Sequence, residues 1–194
     1  MKVEIRGNQI LIDGYVNAVD RESRVLPSPR GYFKEKIIPK AFEKALSDSK
    51  NVDLLFNHKK DRNLGSIGNG NLELYEDNIG LRASATVTDE EVIQKARNGE
   101  LRGWSFAFIS KKDNWSDGQD GIQLRSIEEL ELLEVSILDQ TPAYVGTSIE
   151  ARGENTSLVE HRSHDEKVRV LEDKLDIEKR SAIVNKINEI LGDK

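Results

Sequence analysis

Serine acyl transfer needs a hydroxyl to attack, an imidazole to take its proton, and an acceptor to orient the imidazole. The main body of this chain can supply such a set as Ser105, His58 and Glu134. Ser105 lies between Trp104 and Phe106, His58 ends an apolar run over residues 52–56, and Glu134 sits between Leu133 and Val135. Each has a plainer reading too. Ser105 can fill space on a sheet face, His58 can be a hydrogen-bonded surface residue, and Glu134 can face solvent from an edge strand. A carboxylate among apolar neighbours is costly to bury unless it accepts hydrogen bonds or meets a cation. Spacing alone does not bring the three together.

Composition removes competing chemistries. The 194 residues include no cysteine and three histidines. That excludes a thiol nucleophile, a disulfide, a zinc–thiolate site and an iron–sulfur cluster built from this chain. His161 and His164 lie in a polar late segment, so an imidazole in the body must be His58. The stretch His161-Arg162-Ser163-His164 reads as a solvated linker, because a metal site needs more than two exposed imidazoles. No metal or other cofactor is expected. Phosphate-loop, His-Glu-x-x-His and dinucleotide signatures are missing. Gly103-Trp104-Ser105-Phe106-Ala107 carries only the first of the two glycines of a nucleophile elbow, which argues against an α/β-hydrolase. A formal charge of −6 makes nucleic acid a poor partner. No run approaches the ~18 apolar residues of a membrane span, and the N-terminus lacks a signal-peptide core. The expectation is a cytoplasmic protein with neither nucleic-acid nor membrane partners.

The elements that must position these residues are mostly strands. Residues 1–19 read as two strands around Gly7-Asn8, and residues 20–36, with Pro27, Pro29 and Gly31, as a long loop. Pro39 precedes a short helix carrying Ala41, Phe42, Ala45 and Leu46. A strand over 52–56 leads to His58, and residues 59–65 are polar. A hairpin turns at Glu76-Asp77-Asn78, and Thr88 with Glu91 forms a capping-box pattern before a second helix ended by Gly99. Residues 103–110 are the clearest strand, followed by a polar tip at 111–121. Residues 122–127 and 130–138 are two strands or one long bent one. From about Gly153 the chain becomes charge-rich. Val170, Ile177, Val184 and Leu191 recur every seven residues, which predicts a long amphipathic helix. The domain reading is therefore a body, 1–152, mostly β with two helices, and a mostly helical tail, 153–194.

These motifs, in order, resemble the tailed-phage prohead maturation proteases. Leu54-Leu55-Phe56-Asn57-His58, Leu64-Gly65, Leu72-Glu73-Leu74 and Gly80-Leu81 resemble the first half of that family. Residues 100–108 resemble its serine motif, and Leu133-Glu134-Val135-Ser136-Ile137 with Pro142-Ala143-Tyr144 its closing motif. The likeness covers roughly residues 10 to 150. It implies an α+β fold, a mostly antiparallel β-barrel with surrounding helices like the herpesvirus assemblins, plus the helical tail. It implies a serine endopeptidase inside an assembling procapsid in the bacterial host cytoplasm. That enzyme cuts the scaffold region of the major capsid protein and itself. Carried over by position, Ser105 is the nucleophile and His58 the general base. The herpesvirus relatives use a second histidine as third member. The body has none to offer, so the acid Glu134 is expected there, with Glu131 as alternate. Only a tail that folds back could lend His161 or His164. Oxyanion donors are expected from backbone amides near Pro142 or from an arginine. The tail is expected to dock on scaffold or to be self-cleaved, and self-association is expected to control activity. The rival reading is a non-catalytic capsid assembly or scaffolding protein.

Overall fold

The structure is a computed structural model that describes residues 1–28, 31–118, 121–139, 149–152, 157–165 and 169–172. Strands β1 (Lys2–Arg6) and β2 (Gln9–Ala18) form the expected hairpin. The expected loop at 20–36 instead contains β3 (Leu26–Ser28) and β4 (Gly31–Ile37). Charge hides the alternation of β4: Phe33, Glu35 and Ile37 point inward, and the two lysines between them are only partly covered. Helix α1 (Ala41–Asp48) follows, buried through Ala41, Phe42 and Ala45. Its first-turn amides at Lys40 and Glu43 are capped from a distance by the Glu76 carboxylate.

Strand β5 (Asp53–Phe56) turns tightly into β6 (Lys59–Ser66), so the polar stretch after His58 is a strand as well. The hairpin of β7 (Leu72–Glu76) and β8 (Gly80–Val87) is as expected. Helix α2 (Glu90–Arg97) is capped by Asp89, whose side chain accepts from Val92 N, rather than by Thr88. Then come β9 (Gly103–Asp117), the single long bent β10 (Gln123–Leu138), β11 (Ile149–Arg152), β12 (Ser157–Asp165) and β13 (Arg169–Glu172).

The strands lie in two sheets. One runs β13-β1-β2-β8-β7; the other runs β11-β12-β9-β10-β4-β3, with β5 on β10 and β6 on β5. Neither sheet closes among the described residues, so two open sheets stand where a barrel was implied. A single apolar core joins them, with Ile10 and Ile12 from β2, Phe106 and Phe108 from β9, Val135 from β10, and Phe42 and Val92 from the helices.

The predicted helix after Gly153 is not what residues 157–165 and 169–172 form. β12 pairs antiparallel with β9, and β13 pairs parallel with β1. An isolated polar helix satisfies its own backbone but gains little from packing, whereas the edges of β9 and β1 pair these segments into the two sheets. Ile177, Val184 and Leu191 lie outside the described residues. No helix among the described residues is long and apolar enough to cross a membrane.

Candidate active site

Three adjacent strands, β9, β10 and β5, each deliver one residue to the same place. β10 lies between the other two, antiparallel to β9 and parallel to β5. Ser105 and Ser136 are cross-strand partners, and Glu134 is opposite Ala107. A bulge between Leu132 and Glu134 sets this face. Leu130 and Leu132 face the core before it, and Val135 and Ile137 after it. The extra residue Leu133 shifts the phase, so Glu134 and Ser136 turn away from the core toward the Ser105 side.

His58 is placed by a two-residue turn. Asn57 and His58 have φ of 54° and 60°, both left-handed, as a type I′ hairpin requires. Asn57 is fitted for this conformation, and its side chain locks the turn. Asn57 Nδ2 donates to Asp139 Oδ1 at 2.8 Å, and Asp139 N donates back to Asn57 Oδ1 at 3.2 Å. Asn57 N donates to Ile137 O at 3.0 Å, and His58 N to Ser136 Oγ at 3.1 Å. Lys95 on α2 anchors the other Asp139 oxygen at 2.8 Å. Burial pushes the Asp139 carboxyl up, but hydrogen bonds from Lys95 and Asn57 hold it below the ordinary aspartate value.

The three side chains meet. His58 Nε2 is 2.7 Å from Ser105 Oγ, and His58 Nδ1 is 2.5 Å from Glu134 Oε1. The second Glu134 oxygen accepts from Ser136 Oγ at 2.6 Å. Ser136 is thus a residue that sequence reasoning passed over, and it ties the carboxylate to the His58 backbone. Ser105 is fully buried and Glu134 nearly so. Glu131, the alternate, is half exposed and ion-paired with Lys111 on the far side of the bulge. The Pro142 segment lies outside the described residues.

His161 overturns the linker expectation. It is opposite Ala107 in the β12–β9 pairing, its ring is T-shaped to His58 with centroids 4.5 Å apart, and its Nδ1 is 3.1 Å from His58 Nδ1. It lies 3.8 Å from Glu134 Oε1. The tail does fold back. The available signal was alternation: Val159 and His161 share one face of a strand, Glu160 and Arg162 the other. The side chain of His164 is outside what is described.

Beside these three side chains, β12 also brings its backbone to Ser105. Ser105 Oγ lies 2.6 Å from Arg162 O, which is thus a second acceptor, besides His58 Nε2, within reach of the one hydroxyl hydrogen. On the other face, Arg162 and Arg125 share two carboxylates, Glu35 and Glu160. Burial pushes the Glu160 carboxyl up, but bonding and charge from Arg125 and Arg162 bring it below the ordinary range.

His58, Glu134 and His161 converge closely enough to be tested as metal ligands. Tetrahedral zinc with bonds of about 2.0–2.1 Å separates its ligand atoms by roughly 3.3 Å. The 2.5 Å contact of His58 with Glu134 is instead a charge-assisted hydrogen bond.

No curated protein and no solved structure matches this chain. A family model described as caudovirus prohead serine protease matches residues 1–162, and the chain belongs to that family.

Proposed function

We propose that this chain is the endopeptidase that removes the scaffolding region of its phage's major capsid protein during procapsid maturation, and that it also processes itself. The carrying observation is the continuous Glu134–His58–Ser105 hydrogen-bond chain, at 2.5 and 2.7 Å. Glu134 accepts from His58 Nδ1–H and so fixes the tautomer whose Nε2 lone pair faces Ser105. His58 takes the hydroxyl proton as Ser105 attacks a scaffold peptide bond, then gives it to the leaving amine. Water, activated by the same imidazole, resolves the acyl-enzyme. The body, 1–152, carries the triad, and the tail, 153–194, is the appended segment that docks on scaffold or is trimmed. The enzyme acts inside the procapsid, in the host cytoplasm.

Co-expression with the cognate capsid protein tests this. Wild type should shorten the capsid protein, whereas folded Ser105→Ala and His58→Ala variants should not. Shortening that persists in Ser105→Ala would favour the non-catalytic assembly role. Abolition of shortening by a chelator would favour a metal held by His58, Glu134 and His161.

A further inference from the structure

We propose that the edge of β9 beside Ser105 is the substrate-strand site, that β12 occupies it as the chain's own substrate, and that Glu35 selects arginine or lysine at the acyl position. The inference rests on the protease reading and names the substrate class of that same site.

β12 adds antiparallel to β9, with Arg162 opposite Phe106 and Ser163 opposite Ser105. Strand addition to a sheet edge is a general way to bind an extended peptide, since backbone pairing holds it and alternate side chains are read on opposite faces. Here His161 goes to the triad face. Glu160 and Arg162 go to the other. The carbonyl beside Ser105 Oγ, at 2.6 Å, belongs to Arg162, so the bond presented to the nucleophile is Arg162–Ser163.

The Arg162 side chain sits in a built pocket. Its Nη2 donates to Glu35 Oε2 at 2.8 Å, and its Nε donates to Oε1, the paired fork that carboxylate and guanidinium form best. Nη2 also donates to Glu160 Oε2 at 2.6 Å, and Nη1 to His161 O at 2.9 Å. The guanidinium lies over the Phe108 ring, 5.3 Å from its centroid. Glu35 is 4% exposed. Its other cation, Arg125, reaches it only at 3.4 Å, being held more tightly by Glu160 at 2.7 Å and by Asp113 at 2.7 Å. Glu160 and Arg162 both arrive with β12. Take that strand away and Glu35 loses its paired fork and keeps the longer 3.4 Å contact to Arg125, so an incoming strand without a cation would bury this carboxylate poorly paired. Arginine matches the fork; lysine offers a point charge and should be second.

The cut balances with water as the only co-reactant. Ser105 Oγ bonds to the Arg162 carbonyl carbon, and the carbonyl electron pair moves to oxygen. Collapse breaks the Arg162–Ser163 C–N bond, and the proton passes through His58 Nε2 to the Ser163 amine. Water then hydrolyses the ester to an Arg162 carboxylate and restores Ser105. In the structure the carbonyl oxygen faces the hydroxyl, so this carbonyl must rotate away before Oγ reaches its carbon.

The test uses the full-length protein. Intact mass and N-terminal sequencing of incubated wild type should give a fragment ending at Arg162 and a new N-terminus at Ser163, neither seen in Ser105→Ala. Synthetic peptides copying residues 157–168, with Arg, Lys, Gln or Glu at position 162, are then offered to wild type. The Arg peptide should be cut at least about tenfold faster than the Gln peptide, with the Glu peptide slowest. Glu35→Gln should bring the Arg-to-Gln ratio toward one. If the capsid protein is shortened in a Ser105-dependent way but the Arg and Gln peptides are cut alike and 162–163 stays intact, the subsite is overturned and the protease reading stands. If wild type cuts nothing, the capsid protein included, both are overturned.

Discussion

At the scale of single residues, the site depends on how Glu134 tolerates burial. It accepts from His58 and from Ser136, so both oxygens are used. Glu134→Gln keeps the shape and loses the charge that holds the tautomer. Peptide hydrolysis should fall by about 10²–10⁴-fold with thermal stability little changed, read from steady-state kinetics and a melting curve. Asp139 gives a pH prediction. Its carboxyl is held below the ordinary aspartate value, so the folded state binds its proton less readily than the unfolded state does. The stability it contributes is present above that ordinary value and is lost as pH falls through the lower folded value. Asp139→Asn should flatten the denaturant-midpoint profile at and below the ordinary aspartate value. Ser105, His58 and Glu134 were legible because motif order singled them out. Ser136 was not, because a serine within an apolar strand carries no mark of its partner.

At the scale of elements, two irregularities build the site. One is the bulge at Leu133, whose phase change is visible in the sequence: Leu130 and Leu132, then Val135 and Ile137. The other is the Asn57-His58 turn. Asn57→Ala places a Cβ-bearing residue without a polar side chain at φ 54° and removes both bonds to Asp139. It should cost about 2 kcal/mol by chemical denaturation and lower turnover by up to about a hundredfold through a displaced His58. Asn57→Gly, which accepts the dihedral, should lose less stability. The strands hardest to read, β4 and β12, are both charged on an inward face. Phe33-Lys34-Glu35-Lys36-Ile37 and Glu160-His161-Arg162 resemble solvated stretches until Glu35, Glu160 and the two arginines are seen to neutralise one another across strands. Pairwise burial of opposite charges leaves no signature in either segment alone.

At the scale of the whole molecule, one core fixes the sheets that carry Ser105 and Glu134 and lead into His58. Phe106 is fully buried, edge-on to Phe42 and stacked on Phe108. Phe106→Ala should cost about 3–5 kcal/mol in a denaturant titration and reduce activity through the neighbouring Ser105. The β1–β2 and β7–β8 hairpins, strands β5, β9 and β10, and both helices were legible from periodicity and turn signals, whereas β3, β4, β6, β12 and β13 were not. The closure into two open sheets was not, because which edges pair is decided by distant segments such as β12 on β9 and β13 on β1. The count of three histidines, which first reserved imidazole chemistry for His58, also changes meaning, since the tail returns His161 to the same site. The proposed activity requires that His58 and Glu134 make Ser105 a nucleophile. Its most direct test is reaction of the folded chain with a fluorophosphonate probe, followed by peptide mapping. Wild type should carry one adduct, on Ser105, and His58→Ala should carry essentially none. An adduct on another serine, or labelling of Ser105 no slower in His58→Ala, would contradict the account.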